Sequence, residues 1–426
     1  MTAALGLYRA ALAVLAPFAA PILRRRARAG LEDPARLQER FGHASQTRPA
    51  GSLVWLHAAS VGEMGVALQL RDGLAERRGD LSFLVTTGTR TSAQLFASRR
   101  PAALHQYAPI DRRDAVRRFL AHWRPDLGVF IESELWPNLA LEAEARGVAL
   151  ALVNARMSEG ALRRWRSFRA SAARLLKPFD PIFAADARTS EGLAGIIGRA
   201  APALGNLKLA AAAPPADAAA LAALRAEIGP RPIWLAASTH PGEDEIVLAA
   251  HREIVAARPD ALLILAPRHP ERGAEIAALA GAAPRRSVGA VVGPSPVYVA
   301  DTMGEMGLFY RLAAVSLVCG SLLPTLRGHN PIEPAKLGSA ILAGPHVSSF
   351  GDLFEALDGA GGIGRAGTAD EIAAAVLGLW RDEALRERRT RAAAAAAEEG
   401  GPALAATLDA LLARLPPSPT RTHAAA

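Results

Sequence analysis

Three glutamates stand at or just beyond the ends of apolar runs, where a carboxylate either caps a helix or takes part in a reaction. Glu63 follows Leu53–His57 through Ala58-Ala59-Ser60-Val61-Gly62. Ser60 and Glu63 have the spacing of a capping box, in which hydroxyl and carboxylate satisfy the free amides of a helix start. The same carboxylate, at the end of a strand and the mouth of an interdomain cleft, is also placed to deprotonate a hydroxyl. Spacing leaves both open. Glu132 and Glu134 close the candidate strand Leu127–Glu132, and alternation puts them on one side if the strand continues. Beside Glu63, such carboxylates would raise one another's proton affinity, which suits a general base or its partner. Trp136-Pro137 then reads as a helix start with proline near its first position.

The second half carries a different chemistry. Ser238-Thr239-His240-Pro241-Gly242-Glu243 follows one strand pattern and Ala266-Pro267-Arg268-His269-Pro270-Glu271-Arg272 the next. The guanidinium fork of Arg268 suits a phosphate, with His269 beside it, although a surface turn has the same composition. In Asp301-Thr302-Met303-Gly304-Glu305 the glycine permits close backbone approach. The densest block is Cys319-Gly320-Ser321 followed by Gly328-His329-Asn330-Pro331-Ile332-Glu333-Pro334. Asn330-Pro331 looks like a helix start, whose free amides bind a phosphate. Glu333, one turn in, can accept hydrogen bonds from ribose hydroxyls. A nucleotide-sugar site is the reading; a capped helix alone explains Asn-Pro but not the glycines and His329. The sequence has no Walker A, HExxH or GxSxG motif and no Asp-x-Asp motif for a diphosphate-bound metal. A single cysteine, Cys319, rules out an internal disulfide and a cysteine-based zinc cluster.

The elements that must position these residues alternate regularly. Candidate strands are Leu53–His57, Ser82–Thr86, Leu104–Tyr107, Leu127–Glu132, Ala149–Val153 and Ile182–Ala184. A second set is Ile233–Ala236, Ala261–Ala266, Val297–Ala300, Val315–Cys319 and Ala340–Leu342. Strands apolar throughout, separated by helical patterns, argue for parallel sheets covered on both faces. Eleven such units exceed one ordinary open sheet, and 426 residues suit two domains. The expected class is α/β, with two Rossmann-like domains of five or six strands each. Ligands of such domains bind at the carboxyl ends of the strands. The break is expected near Gly205-Asn206-Leu207-Lys208, with a linker to Pro215. That gives a membrane-associated segment at 1–28, an acceptor domain at 29–206 and a nucleotide domain at 207–415. The stretch 416–426 is expected to be a disordered tail.

Residues 3–23 are apolar except for Arg9 and run into Arg24, Arg25, Arg26 and Arg28. Their uninterrupted part, Ala10–Leu23, is 14 residues, short of the roughly 20 that span a bilayer. The arginines follow the apolar part, the reverse of a secretory signal. A segment lying in or shallowly entering an anionic membrane is expected, against a buried first helix or a true span. The net charge of +8 is uneven: 29 basic against 18 acidic side chains up to Asn206, and 20 against 23 after it. The arginines are not interleaved with aromatics, and no nucleic-acid-binding motif appears, so the basic half does not indicate a nucleic-acid partner.

Together these motifs resemble the Kdo (3-deoxy-D-manno-octulosonic acid) transferases of lipopolysaccharide synthesis. The resemblance rests on SVGE at 60–63, ESELWPN at 132–138, NARMS at 154–158, GNLK at 205–208, PRHPER at 267–272, DTMGE at 301–305 and GHNPIEP at 328–334. It implies a GT-B glycosyltransferase with two Rossmann-like domains facing a cleft. The implied reaction moves Kdo from CMP-Kdo to lipid IVA, inverting at the anomeric carbon and using no metal and no cofactor. The resemblance also implies a place on the cytoplasmic face of the inner membrane of a Gram-negative envelope. By motif, Glu63 resembles the general base, and Glu132 or Glu134 with Lys208 resembles the groups assisting charge development, Glu132 first. Arg268, His269, Met303, Gly304, Glu305, Asn330, Pro331, Ile332 and Glu333 resemble the CMP-binding positions. The chain departs from the family pattern before His329, where Leu323-Pro324-Thr325-Leu326-Arg327-Gly328 replaces a glycine-rich segment, and at Ser339, where a lysine is usual. The basic half would then face anionic headgroups and a bis-phosphorylated acceptor. Two other functions compete: a GT-B transferase of another activated sugar, and a silent membrane-associated nucleotide-binding protein.

Overall fold

The computed structural model describes residues 2–99 and 101–417. Each of two compact units is built on a six-stranded parallel sheet. In the first, β1 (Leu53–Ala58), β2 (Ser82–Thr87), β3 (Leu104–Tyr107), β4 (Leu127–Ile131), β5 (Ala149–Ala155) and β6 (Phe179–Ala184) lie in the order β3-β2-β1-β4-β5-β6. In the second, β7 (Ile233–Thr239), β8 (Leu262–Pro267), β9 (Val297–Val299), β10 (Val315–Val318), β11 (Ala340–Ala343) and β12 (Ile363–Arg365) lie in the order β12-β11-β10-β7-β8-β9. Counted within its own unit, the second order repeats the first. All pairings are parallel, and each sheet reverses its winding beside its first strand, between β1 and β4 and between β7 and β10. Those are the switch points at which doubly wound sheets open a crevice for ligands.

The apolar runs supply both faces of each sheet. Leu53, Trp55, Phe130, Leu150 and Leu152 fill the core on one side of the first sheet. Val54, Leu56, Val129, Ile131, Ala151 and Val153 fill the other. The same alternation puts Trp234, Ala236, Leu263 and Leu317 on one face of the second sheet and Ile233, Leu235, Leu262 and Ile264 on the other. Burying each large side chain is worth about 1.5–3 kcal/mol, so continuous apolar strands suit only a sheet covered on both sides.

Two boundaries differ from expectation. The first unit runs to Ala210 and resumes at Gly400, and the second is Ala211–Glu399. The expected 207–415 domain is therefore too long at both ends. Leu207 is buried in the core of the first unit, and so are Ala403, Leu408 and Leu411 of the helix Gly400–Leu412. Leu408 fills the space beside Gly73, and a Cβ on Gly400 would lie 2.2 Å from the Ala210 nitrogen. β12 is the strand not anticipated. Of the expected tail, Pro416 and Pro417 carry no regular structure, and 418 onward falls outside the described residues.

At the N-terminus, helix Ala3–Leu15, a single 3₁₀ turn Ala16–Phe18 containing Pro17, and helix Ala19–Arg28 form one helical run. Proline thus tightens one turn without ending the helix. The run is 26 residues, with a mean hydropathy of 1.6 over its most apolar window, which by length and composition is enough to cross a membrane. Leu5 and Leu23 are buried, whereas Leu7, Val14, Leu15, Phe18 and Ile22 are more than half exposed. Polar side chains hold the first helix to the unit behind it. Tyr8 donates to Asp111 Oδ2 at 2.8 Å, and Arg9 Nε donates to Asn138 Oδ1 at 2.8 Å.

Candidate active site

Both carboxylate motifs of the first unit sit at its switch point, because β1 leads to Glu63 and β4 to Glu132. Ser60 caps the helix Val61–Arg77 by accepting from the Glu63 amide at 3.3 Å. Its hydroxyl donates to Glu63 Oε1 at 2.7 Å, while the Ala59 amide donates to Oε2 at 2.8 Å. The reciprocal box is not completed, because the carboxylate takes the Ala59 amide rather than that of Ser60, but the same helix start fixes both carboxylate oxygens, so capping and chemistry are compatible. Glu63 is buried, and its pKa is pushed up to about 7. Burial is the main cause, opposed by the Ser60 and Ala59 hydrogen bonds and assisted by the charges of Glu132 and Glu134.

β4 ends at Ile131, and Glu132 takes a left-handed φ of 60°, an uncommon conformation for a residue with a side chain. The strand does not continue, so Glu132 and Glu134 do not share a face. Glu132 meets Lys208 Nζ at 2.5 Å as a close ion pair. Glu134 accepts from Trp136 Nε1 at 2.9 Å and lines a separate cavity. Lys208 reaches across the helix start: a Cβ on Gly62 would stand 3.4 Å from its Cε and 3.5 Å from its Nζ. Glu63, Glu132 and Lys208 thus form one constellation, and Glu134 stands beside it.

Two asparagines set Lys208 in place. Asn154, buried near the end of β5 with φ 52°, accepts the Leu207 amide on Oδ1 at 2.8 Å. Asn206 Oδ1 accepts the Lys208 amide at 3.0 Å. The NARMS and GNLK motifs meet here, in a positioning role that their spacing does not disclose.

In the second unit, the loops after β7 and β10 come together at the switch point. His240 and His329 stack with centroids 5.1 Å apart and share a hydrogen bond of 2.9 Å between their Nε2 atoms. His269 lies edge-on to His240 at 5.9 Å. Burial, then the neighbouring His240, Arg268 and His269, pushes the pKa of His329 down to about 4. Gly320, at φ 71°, leaves room for this ring, because a Cβ there would lie 2.6 Å from His329 Cδ2. Arg268 is exposed and has no ion pair among the described residues, while its amide is fixed on the Thr239 carbonyl at 3.0 Å. Asn330 Oδ1 accepts the Ile332 amide at 3.0 Å and so starts the short helix Ile332–Lys336, with Pro331 at its cap and Glu333 in its first turn. Met303 is exposed, Gly304 has φ 85°, and Glu305 is held by Arg286 at 2.7 and 3.1 Å.

The residues 35–211 match the family model described as 3-deoxy-D-manno-octulosonic-acid transferase (kdotransferase). The chain is 36% identical to the 3-deoxy-D-manno-octulosonic acid transferase of Bordetella pertussis, over 95% of this chain and 98% of that one. It is 34% identical to the Haemophilus influenzae protein of the same description, over 88% and 90% respectively. The chain belongs to the Kdo transferase family. Among solved structures, a UDP-GlcNAc 2-epimerase from Neisseria meningitidis bound to UDP-GlcNAc aligns with a TM-score of 0.53, covering 85% of this transferase and all of that chain. A glycosyltransferase from Rickettsia africae aligns at 0.52, covering 86% of this transferase and 99% of that chain. At 13% and 10% identity these show the fold alone, the paired Rossmann-like units of the GT-B class.

Three features of this Kdo transferase were not singled out from sequence. Asn154 is one residue of the NARMS motif, which by itself gives it no role. Glu243 is fully buried and accepts the amides of Gly320 at 2.8 Å, Leu322 at 3.0 Å and His240 at 3.1 Å, which ties the two switch-point loops of the second unit together. His57 looked like one more strand residue, but it lines the cavity that Glu134 enters. A buried polar residue inside an otherwise apolar strand was the available signal.

Proposed function

We propose that this transferase moves Kdo from CMP-Kdo to a hydroxyl of lipid IVA, with inversion and without a metal ion, at the cytoplasmic face of the inner membrane. The observation that carries this is Glu63, a buried carboxylate with a proton affinity near neutrality, beside the Glu132–Lys208 pair at a switch point. A base tuned to about 7 takes a proton from the acceptor hydroxyl as its oxygen attacks the anomeric carbon. The new C–O bond forms as the bond to phosphate breaks, and CMP leaves with the electron pair. One base and one displacement invert the anomeric centre. A phosphate monoester needs less countercharge than a diphosphate, and the exposed guanidinium of Arg268 offers a fork for it. Lys208 supplies a fixed positive charge beside the base.

The test is a transfer assay with CMP-Kdo and lipid IVA, with products counted by mass and the new anomeric centre read by NMR. Transfer that survives EDTA and inverts the anomer is expected. Turnover only with a UDP-sugar, retention of configuration, or loss of activity restored by a divalent cation would overturn the corresponding part of the proposal.

A further inference from the structure

A cavity of about 340 Å³ opens in the first unit beside the Glu63 constellation. Ala59, whose amide holds Glu63, is part of its wall, with Arg40, Asp111, Glu134, Trp136 and His57. His57 is 1% exposed, and its Nε2 has no hydrogen-bond partner. An unpartnered buried nitrogen is costly, and a ligand atom bonded to it would recover that cost.

The hydrogen bonds around His57 fix what it offers. Trp55 Nε1 donates to Thr86 Oγ1 at 2.8 Å, and His57 Nδ1 lies 2.9 Å from the same oxygen. Thr86 is fully buried, and His57 Nδ1 is the acceptor within reach of its hydroxyl proton among the described residues. Satisfying that proton leaves Nδ1 bare and places the ring hydrogen on Nε2. Burial, then the nearby Arg40 charge, pushes the ring's pKa down to about 4, so it stays neutral. The wall of the cavity therefore combines the neutral His57 ring, the guanidinium of Arg40, a carboxylate on Glu134 and, at its rim, the indole of Trp136, 46% exposed. A hydroxyl oxygen for the donor, a hydroxyl proton for the carboxylate and an apolar ring face for the indole together describe a sugar. At the low end of ligand-pocket volumes, about 300–1,000 Å³, the space suits one ring rather than a whole glycolipid. Asp111, in the same wall, accepts the Tyr8 hydroxyl of the apolar N-terminal helix. That bond ties the wall of the cavity to the apolar N-terminal helix.

We infer that this cavity is the subsite for the acceptor's sugar ring, with His57 Nε2–H its buried donor, Glu134 its hydroxyl acceptor and Trp136 its stacking plate. The inference deepens the proposed function and rests on its assignment of a glycolipid acceptor. The probe is the deacylated, bis-phosphorylated glucosamine disaccharide, with binding measured by calorimetry and transfer measured in parallel with lipid IVA. His57→Asn keeps a polar group facing Thr86 and removes the outer nitrogen, whereas His57→Gln carries an amide nitrogen out to that position. His57→Asn and the surface change Trp136→Ala should each weaken disaccharide binding and raise the acceptor KM by about tenfold, the scale of one lost hydrogen bond or contact. His57→Gln should recover most of the loss, and the KM for CMP-Kdo should not move. Wild-type binding of the disaccharide with no Kdo transfer would overturn the proposed function and leave the subsite standing. Wild-type transfer with unchanged disaccharide binding in both His57→Asn and Trp136→Ala would overturn the subsite, as would failure of the wild type to bind the disaccharide.

Discussion

In the role proposed for it, Glu63 would join two demands that usually conflict, since a cap wants a charged carboxylate and a base near neutrality wants one that holds its proton. Burial wins, lifting the group from its ordinary 4.5 to about 7 against two hydrogen bonds that favour the charge. As a base it must be ionised, so kcat/KM should rise with pH through about 7 and level off above it. A pH–rate profile flat from 5 to 8 would remove Glu63 from that role. Glu63→Gln should lower kcat by about 10²–10⁴ while leaving CMP binding intact. The fold itself favours the protonated form, so the group's contribution to stability is full below about 4.5 and is lost as pH rises through about 7. Glu63→Gln should therefore gain thermal stability relative to wild type at pH 8 and show little difference at pH 4.5. Asn154 acts one step away, holding the Leu207 amide that sets Lys208. Asn154→Ala leaves that buried amide unsatisfied, costing about 1–3 kcal/mol. It should lower kcat more than the acceptor KM, and Asn154→Asp, which keeps the accepting oxygen, should restore part of the loss.

At the scale of elements, most strands were legible because they are continuous apolar runs, and β3, Leu104–Tyr107, has the same bounds in sequence and structure although His105 and Gln106 interrupt it. β12 was not, since Ile363-Gly364-Arg365 is three residues, with a glycine in the middle and an exposed arginine at the end. The ends of strands were legible only as places where function would sit. The backbone turn at Glu132 that separates it from Glu134 depends on pairing of its amide with Val153 O at 3.0 Å, a contact that local sequence does not encode. The return of the chain to the first unit was hidden for a related reason. The helix Gly400–Leu412 has an apolar face that any sheet could bury, and only the fit of Leu408 against Gly73 and of Gly400 against Ala210 selects the first unit. Leu408→Ala should cost about 2–5 kcal/mol by opening a cavity. Hydrogen exchange should report the loss in the helix Val61–Arg77 and in β1 and β2, over 300 residues away in sequence. If protection falls only within Ala211–Glu399, the helix belongs to the second unit.

For the whole molecule, the surplus of positive charge lies in the half that carries the apolar N-terminal run, and the two features act at different ranges. Leu7, Val14, Leu15, Phe18 and Ile22 are exposed on a helical run whose polar contacts, through Tyr8 and Arg9, are spent on the unit behind it. An exposed apolar surface of this kind calls for a partner, and a bilayer would supply one. Arg26 is paired to Glu32 at 3.0 Å, which leaves Arg24, Arg25 and Arg28 as exposed basic residues of this run with no ion pair among the described residues. Arginines near an anionic surface contribute about 1 kcal/mol each at moderate salt, and that contribution fades beyond a Debye length of about 8–10 Å. Changing all three to glutamine should therefore weaken binding to vesicles containing anionic phospholipid by about a hundredfold at low salt. Binding to neutral vesicles, which rests on the apolar side chains, should change little, and replacing Phe18 and Ile22 with serine should lower both. Sedimentation with the two vesicle types, at low and high salt, separates the contributions. If the triple arginine variant binds anionic vesicles like wild type at every salt concentration, the basic charge of this half serves something other than the membrane, and the apolar run alone sets where the enzyme stands.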